Sequence, residues 1–147
     1  MSRLYLDANA TEPLRPEARA AVAAALEVAG NPSSVHAEGR AARRVLEEAR
    51  ETLAALVGLA PASVVFTAGG TEANATALAG FAAEGRRVLV GSTEHDSVLR
   101  AVPEAERIPV DRDGVIDLAA LATALADPRP AAVAVMLANN ETGTLQP

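Results

Sequence analysis

Three short polar segments of the sequence carry side chains that could bind or transform a small ligand. They comprise Gly69, Gly70 and Thr71 in the first, residues 93–95 in the second and residues 139–143 in the third. Glycines let a backbone approach a ligand closely, and the N–H groups of a helix start attract an anion. A hydroxyl at the same position adds a further hydrogen bond. The first segment therefore suits a phosphate group.

The other two segments offer a different chemistry. The imidazole of His95 could stack on a planar ligand or move a proton. The side-chain amide of Asn140 is suited to holding a ligand oxygen. Together with Gly70 and Thr71, these residues are the candidate site.

Each of these residues also has a purely structural interpretation. The two glycines can simply make a turn with Thr71 as a helix cap, and His95 can be an ordinary exposed histidine. Residues 139–143 can form a plain turn. His36 is either catalytic or a side chain that ties down the turn at residues 31–34. Spacing alone leaves these alternatives open.

A metal site is not expected. Residues 111–114 resemble the start of a calcium-binding loop, with Asp111, Asp113 and Gly114 in sequence. The later oxygen ligands and the terminal glutamate of such a loop are missing at the required spacing. We therefore predict no metal ligands.

Short apolar runs alternate with helix-like stretches along the chain, which is typical of an α/β fold. The continuous apolar run at residues 131–137 predicts a strand in a sheet covered on both faces. All three polar segments lie where strands end, the position at which open α/β sheets gather ligands. Helices are predicted at residues 16–29, 37–56, 72–83, 97–102 and 118–126, and strands at residues 63–67, 87–90, 107–110 and 131–137.

Length, charge and hydropathy argue against several classes of protein. The chain has 147 residues, near the most common size of one domain, and a net charge of −6, which argues against nucleic-acid binding. No apolar run approaches the ~20 residues that cross a bilayer, and the first residues lack the apolar core of a signal peptide. We expect a cytoplasmic protein without membrane contact.

Five motifs in this order resemble the amino-terminal half of the cysteine desulfurases. These enzymes are a branch of the class V aminotransferase family with the fold type I pyridoxal-phosphate architecture. The similarity runs over essentially the whole chain. The motifs are Tyr5-Leu6-Asp7-Ala8-Asn9-Ala10-Thr11, Gly30-Asn31-Pro32-Ser33-Ser34-Val35-His36, Val65-Phe66-Thr67-Ala68-Gly69-Gly70-Thr71-Glu72, Thr93-Glu94-His95 and Asn139-Asn140-Glu141-Thr142-Gly143.

The resemblance implies an incomplete large domain of a fold type I pyridoxal-phosphate enzyme, with a mainly parallel sheet flanked by helices. Residues 1–60 would form an arm and helices, and residues 61–147 the start of the sheet. It implies that Gly70 and Thr71 hold the phosphate of pyridoxal 5′-phosphate. By the same likeness, His95 stacks on the pyridine ring and assists proton transfer, and Asn140 contacts the phenolic oxygen.

The resemblance also implies an activity. The substrate would be L-cysteine, the product L-alanine, and the sulfur would pass through an enzyme thiol to an acceptor protein. That sulfur would serve iron–sulfur clusters or tRNA thiolation, and the complete enzyme would be a homodimer. Ala8 and Glu12 depart from the usual opening motif, which affects substrate detail rather than family.

The sequence contains no lysine and no cysteine. Because the implied reaction needs a lysine amine for the cofactor and a thiolate for the sulfur, these 147 residues are expected to be inactive alone. We therefore expect a fragment whose activity belongs to a longer protein or a complex. One alternative is a non-catalytic module that retains an anion pocket. Another is a different class V enzyme, such as a selenocysteine lyase.

Overall fold

The computed structural model describes residues 4–147 and divides the chain into two units, the first ending at Phe66 and the second spanning Thr67–Pro147. The first unit contains helix α1 (Pro16–Leu26), helix α2 (Ala37–Val57) and a single 3-10 turn (Pro61–Ser63). The second contains α3 (Gly70–Ala83), α4 (Asp96–Leu99), α5 (Leu118–Leu125) and the strands β1 (Arg87–Gly91), β2 (Glu106–Ile108) and β3 (Ala131–Ala134). Most predicted elements are confirmed within a few residues.

Helix α2 is held at both ends by local interactions. At its start, the Nδ1 atom of His36 accepts a hydrogen bond from the Gly39 N–H at 3.3 Å. At its end, Gly58 adopts a left-handed conformation with φ 71°, which glycine reaches without a steric penalty. These two caps explain why the helix keeps its predicted length.

The first turn of α2 packs closely against the preceding turn at residues 31–34. A Cβ atom added to Gly39 would lie 2.4 Å from the Ser34 carbonyl oxygen and 2.8 Å from the Asn31 carbonyl oxygen. The turn is itself closed by a hydrogen bond from the Ser34 N–H to that Asn31 oxygen at 2.9 Å. Glycine is therefore required where the helix meets the turn.

The predicted strand at residues 63–67 is wrong. Ser63 ends the 3-10 turn, and residues 64–67 have no strand partner within the described part of the chain. Val64 is extended, with its carbonyl oxygen accepting a bond from the Arg50 guanidinium, which also lies 5.0 Å from the Phe66 ring centre. A β-rich sequence favours extended backbone, but a strand also needs a neighbour to pair with.

The sheet of the second unit has the strand order β2-β1-β3, and both pairs are parallel. In the register, Leu89 faces Glu106 on one side and Val133 on the other. Because parallel strands need crossover connections, helices alternate with the strands along this part of the chain. The prediction of an α/β fold with a parallel sheet is confirmed.

The core lies on both faces of β1. Val88 and Val90 pack in a cluster with Leu78 of α3, whereas Leu89 packs in a second cluster with Ile108 and Ile116. This division follows from the alternation of side chains along a strand. Leu89 and Val90 are fully buried, so β1 is the strand that is covered on both sides.

The run at residues 131–137 was predicted to form a strand in a sheet covered on both faces; the sheet is covered on both faces at β1, but the strand in this run is shorter than predicted and lies at the sheet edge. Only Ala131–Ala134 form β3, which pairs with β1 alone, and Val133 remains 43% exposed. Consecutive apolar residues reveal a strand without revealing its place in the sheet. Central and edge positions depend on which strands pair.

An ionic cluster ties the elements together at the start of β1. The Arg87 guanidinium donates to both carboxylate oxygens of Glu106 at 2.8 and 2.7 Å and to the Ala124 carbonyl oxygen at 2.8 Å. The hydrogen bond from Arg87 lowers the pKa of Glu106. The cluster thus joins β1 to β2 and α5.

The loop at residues 111–114 forms a turn. The Oδ1 atom of Asp111 accepts bonds from the Asp113 and Val115 N–H groups at 2.9 and 3.0 Å, and Gly114 has φ 80°. Across residues 4–147, no cluster of three or more His, Cys, Asp or Glu side chains is arranged to hold a metal ion. Within the same range, no helix is both long and apolar enough to cross a membrane.

Candidate functional site

The start of α3 is open. Gly69 is its N-cap residue, has an extended backbone and has no side chain to cap the helix, while the Glu72 carboxylate of the first turn accepts a hydrogen bond from the Ala68 N–H at 2.6 Å. Apart from the adjoining backbone, no atom of residues 4–147 lies within 4 Å of the position that a Cβ atom would take on Gly69 or Gly70. Thr71 is the second residue of the helix rather than its cap, so the interpretation of Thr71 as a capping residue is wrong.

His95 is positioned by the strand before it and the helix after it. β1 ends at Gly91, and His95 is the N-cap residue of α4. Its Nδ1 atom accepts a hydrogen bond from the Ser97 N–H at 3.1 Å and lies 2.8 Å from the Ser97 hydroxyl. His95 is an exposed residue. The histidine is thus held at its Nδ1 edge.

His95 adjoins both of the other candidate segments. It lines one cavity of about 290 Å³ together with Thr71, Ser97 and Arg100. It also lines a second cavity of about 290 Å³ that includes Asn140. The structure therefore brings Thr71, His95 and Asn140 around one region of the second unit, with Gly70 next to Thr71 at the helix start.

The loop after β3 is a tight turn built on Asn139. Its Oδ1 atom accepts bonds from the N–H groups of Glu141 and Thr142 at 2.9 and 3.0 Å, and Gly143 has φ 75°. Its Nδ2 atom reaches across to donate to the Thr93 carbonyl oxygen at 3.0 Å. The loop is thus a turn, as one interpretation held, and it is also attached to the segment that carries His95.

Glu94 belongs to the second candidate segment, but no role for its side chain was apparent from the sequence. Its carboxylate accepts a hydrogen bond from the Met136 N–H at 2.6 Å, which links the segment after β1 to the end of β3. Burial raises the pKa of Glu94, and the bond from Met136 opposes that rise. A glutamate beside a histidine was visible in the sequence. Nothing in the pattern indicated that its carboxylate turns inward to a strand end.

His36 lies in the first unit, where it caps α2. Its Nδ1 atom is 2.9 Å from a Glu38 carboxylate oxygen as well as accepting from the Gly39 N–H. These contacts are local to the helix start, as expected of a side chain that ties down the adjacent turn. This agrees with the structural interpretation of His36.

Comparison with known proteins agrees with the fold. Residues 4–147 match the model of the aminotransferase class-V family. A cysteine desulfurase from Cereibacter sphaeroides is 48% identical, with 100% of this chain and 41% of that protein aligned. Cysteine desulfurase IscS from Dictyoglomus turgidum is 39% identical, with 98% of this chain and 39% of that protein aligned.

Solved structures show the same relationship. A NifS-like protein from Rickettsia africae superposes with a TM-score of 0.84 at 31% identity, covering 97% of this chain and 41% of that one. DndA from Streptomyces lividans gives 0.76 at 34% identity, covering 98% and 44%. The chain spans about two fifths of the length of the relatives it matches. On the family match and the shared fold, the chain belongs to the class V aminotransferase family.

Proposed function

We propose that this chain is the amino-terminal part of a pyridoxal-phosphate-dependent cysteine desulfurase, which converts L-cysteine to L-alanine and passes the sulfur to an acceptor. The observation that carries the proposal is the grouping of Thr71, His95 and Asn140 around adjoining cavities. Relatives named cysteine desulfurase that align with 97–100% of the chain support the substrate.

The residues fit the cofactor. The start of α3, where no N-cap side chain occupies the first helical N–H groups, suits a phosphate, since those groups carry partial positive charge. Gly70 and Thr71 would bind that phosphate, the latter through its hydroxyl. When bound, pyridoxal phosphate supplies an electron sink for reactions at the amino-acid carbon. Asn140 would hold the phenolic oxygen through its side chain.

His95 would stack on the pyridine ring and move a proton near it. Its exposed ring lies where a planar group could be placed between the start of α3 and the loop that carries Asn140. The lysine amine and the cysteine thiol that the reaction needs would come from residues outside these 147, since the sequence has neither. We also propose a cytoplasmic homodimer that donates sulfur to an acceptor protein for iron–sulfur clusters or tRNA thiolation.

The test uses the complete product of the natural gene. Cofactor binding is followed by absorbance, and L-alanine formation from L-cysteine is measured with a thiol reductant. Replacing Thr71 with Ala should weaken cofactor binding about tenfold, because one hydrogen bond to a charged group is lost. His95→Ala should lower the rate of alanine formation by about 100-fold or more.

Thr76→Ala is the matched control, since Thr76 is another exposed threonine of α3 that does not line the cavity shared by Thr71 and His95. It should leave both measurements unchanged. Equal cofactor affinity in the two threonine variants would contradict the assignment of Thr71. Failure of the complete protein to bind the cofactor would favour a non-catalytic module, and preference for L-selenocysteine over L-cysteine would favour a selenocysteine lyase.

A further inference from the structure

A chain of hydrogen bonds leads from α3 to His95. Asn74, in the second turn of α3, donates from Nδ2 to the Ser97 hydroxyl oxygen at 2.9 Å. That hydroxyl lies 2.8 Å from the His95 Nδ1 atom. The Ser97 N–H also points to the same Nδ1 atom at 3.1 Å. Three residues from two helices thus meet at one edge of the imidazole ring.

The direction of these hydrogen bonds follows from the contact between the Ser97 main-chain N–H and the Nδ1 atom of His95. A main-chain N–H can only donate, so the Nδ1 atom of His95 must accept and carries no proton. The short contact between Nδ1 and the Ser97 hydroxyl is then a hydrogen bond only if the hydroxyl donates. With its proton directed at His95, the hydroxyl oxygen keeps lone pairs that accept from the Asn74 amide.

The opposite orientation of the Asn74 amide conflicts with this arrangement. If its oxygen faced Ser97, the hydroxyl proton would turn toward Asn74 and leave a lone pair facing Nδ1. That contact would require a proton on Nδ1, which the Ser97 N–H excludes. The three bonds are therefore mutually consistent in one orientation only.

We propose that Asn74 and Ser97 are positioning residues that hold the neutral His95 ring with its proton on Nε2, the nitrogen left for a ligand. The inference rests on the proposed function, in which His95 works beside the cofactor ring. In histidines that bind ligands, the partner of one ring nitrogen sets the tautomer and the orientation of the other. Ser97 fills that role for His95, and Asn74 orients Ser97.

His36 provides a contrast within the same chain. It is also a helix N-cap whose Nδ1 accepts from a main-chain N–H, that of Gly39 at 3.3 Å. Its second neighbour is a Glu38 carboxylate oxygen at 2.9 Å, which can only accept when ionised. The Gly39 N–H thus requires an unprotonated Nδ1 on His36, whereas the Glu38 carboxylate requires a protonated one. At His95, both neighbours donate to Nδ1.

The tautomer can be measured directly in the complete natural protein, without cofactor. The protein is labelled with ¹⁵N-histidine, and the two ring nitrogens of His95 are identified by their loss in His95→Gln. At a pH where the ring is neutral, the ¹⁵N shifts report the ratio of Nε2–H to Nδ1–H. Ser97→Ala removes one donor, so we expect the ratio to fall about fivefold.

Two further variants separate positioning from general loss of structure. Ser97→Thr keeps the hydroxyl and should restore the ratio to that of the unmodified protein. Asn74→Asp presents only acceptors, which draws the hydroxyl proton away from His95, and should lower the ratio as Ser97→Ala does. Ser92→Ala is the matched control, because its hydroxyl bonds the Ile108 carbonyl oxygen at 2.7 Å instead. It should change nothing at His95.

A ratio that stays within twofold in both Ser97→Ala and Asn74→Asp overturns the inference, whether or not the protein binds pyridoxal phosphate. A lowered ratio that Ser97→Thr restores supports it. Cofactor binding is measured separately by absorbance, so its absence would count against the proposed function while the tautomer result stands by itself. The two failures are therefore distinguishable.

Discussion

Glu94 is a half-buried carboxylate with one strong hydrogen bond. It accepts from the Met136 N–H at 2.6 Å, and burial raises its pKa. The carboxylate also lies close to Gly91, where an added Cβ atom would be 3.2 Å from one of its oxygens. It therefore secures the segment leading to His95, although burial disfavours the charged form of this carboxylate.

Two substitutions separate the hydrogen bond from the charge. Glu94→Ala leaves the Met136 N–H without its acceptor and should lower the free energy of unfolding by about 1–3 kcal/mol. Glu94→Gln keeps an oxygen acceptor without the charge and should leave the free energy of unfolding at pH 7 nearly unchanged. Denaturant unfolding measures both. Glu104→Ala, at an exposed glutamate, is the control and should change stability little.

The raised pKa of Glu94 also fixes the sign of its pH dependence. The folded state holds the proton more tightly than the unfolded state, so this group contributes most below its unfolded pKa. Its contribution to the free energy of unfolding is lost as the pH rises from the ordinary pKa of glutamate to the raised pKa of Glu94. Glu94→Gln should remove this fall, and an identical pH dependence in the variant would show that another group causes it.

The sequence was informative about residues that occur in recognisable motifs. His95, Thr71 and Asn140 were singled out, and the fold places them around adjoining cavities. Asn74, Ser97 and Glu94 were not, because their importance depends on which atoms meet after folding. The contact between Asn74 and Ser97 joins residues 23 positions apart, and no local pattern encodes that distance.

At the scale of elements, two helical glycines have opposite surroundings. Gly39 is buried in the first turn of α2, where an added Cβ atom would lie 2.4 Å from the Ser34 carbonyl oxygen. Gly80 lies within α3 with nothing within 4 Å of its added Cβ atom. The same change to alanine should therefore have opposite effects on stability.

Gly39→Ala must push the helix away from the turn and should destabilise the protein by about 1–3 kcal/mol. Gly80→Ala gains helix propensity and should stabilise it by about 0.5–1 kcal/mol. Thermal unfolding followed by circular dichroism measures both. If the two variants moved in the same direction, the close packing of α2 on its turn would be contradicted.

Element boundaries were predictable where a local signal exists. Asp117, a residue type that favours the N-cap position, caps α5 and accepts from the Ala119 and Ala120 N–H groups at 2.9 Å. The segment at residues 63–67 shows the limit of such signals. Its composition favours a strand, but pairing requires a second segment at the right place, which is a property of the fold rather than of the segment.

At the scale of the whole molecule, many large apolar side chains are exposed. Leu26, Leu56 and Leu137 are 80%, 81% and 72% exposed, and others of this kind occur in both units. Scattered exposed leucines are normal, but exposed apolar side chains in such numbers favour association where they adjoin one another. The 147-residue chain expressed alone should self-associate and bind a hydrophobic dye.

Replacing Leu26, Leu56 and Leu137 together with Gln should weaken both effects, measured by sedimentation and dye fluorescence. The free energy of unfolding should change by less than about 0.5 kcal/mol per substitution, since exposed positions contribute little. Leu89→Gln is the opposite case, because Leu89 is fully buried, and it should reduce stability strongly. Unchanged association in the triple variant would show that these surfaces are not responsible.

The strand order β2-β1-β3 means that β1 is synthesised before either of the strands that pair with it. β1 leaves the ribosome first, but both of its partners come later, and β3 ends at Ala134, which is 43 residues after Gly91. At a synthesis rate of about 5–20 residues per second, the second edge of β1 remains unpaired for roughly 2–9 s until β3 is complete. Arg86 and Arg87 stand immediately before its apolar run. Their positive charges would disfavour pairing of the nascent β1 with other chains before β2 and β3 have been synthesised.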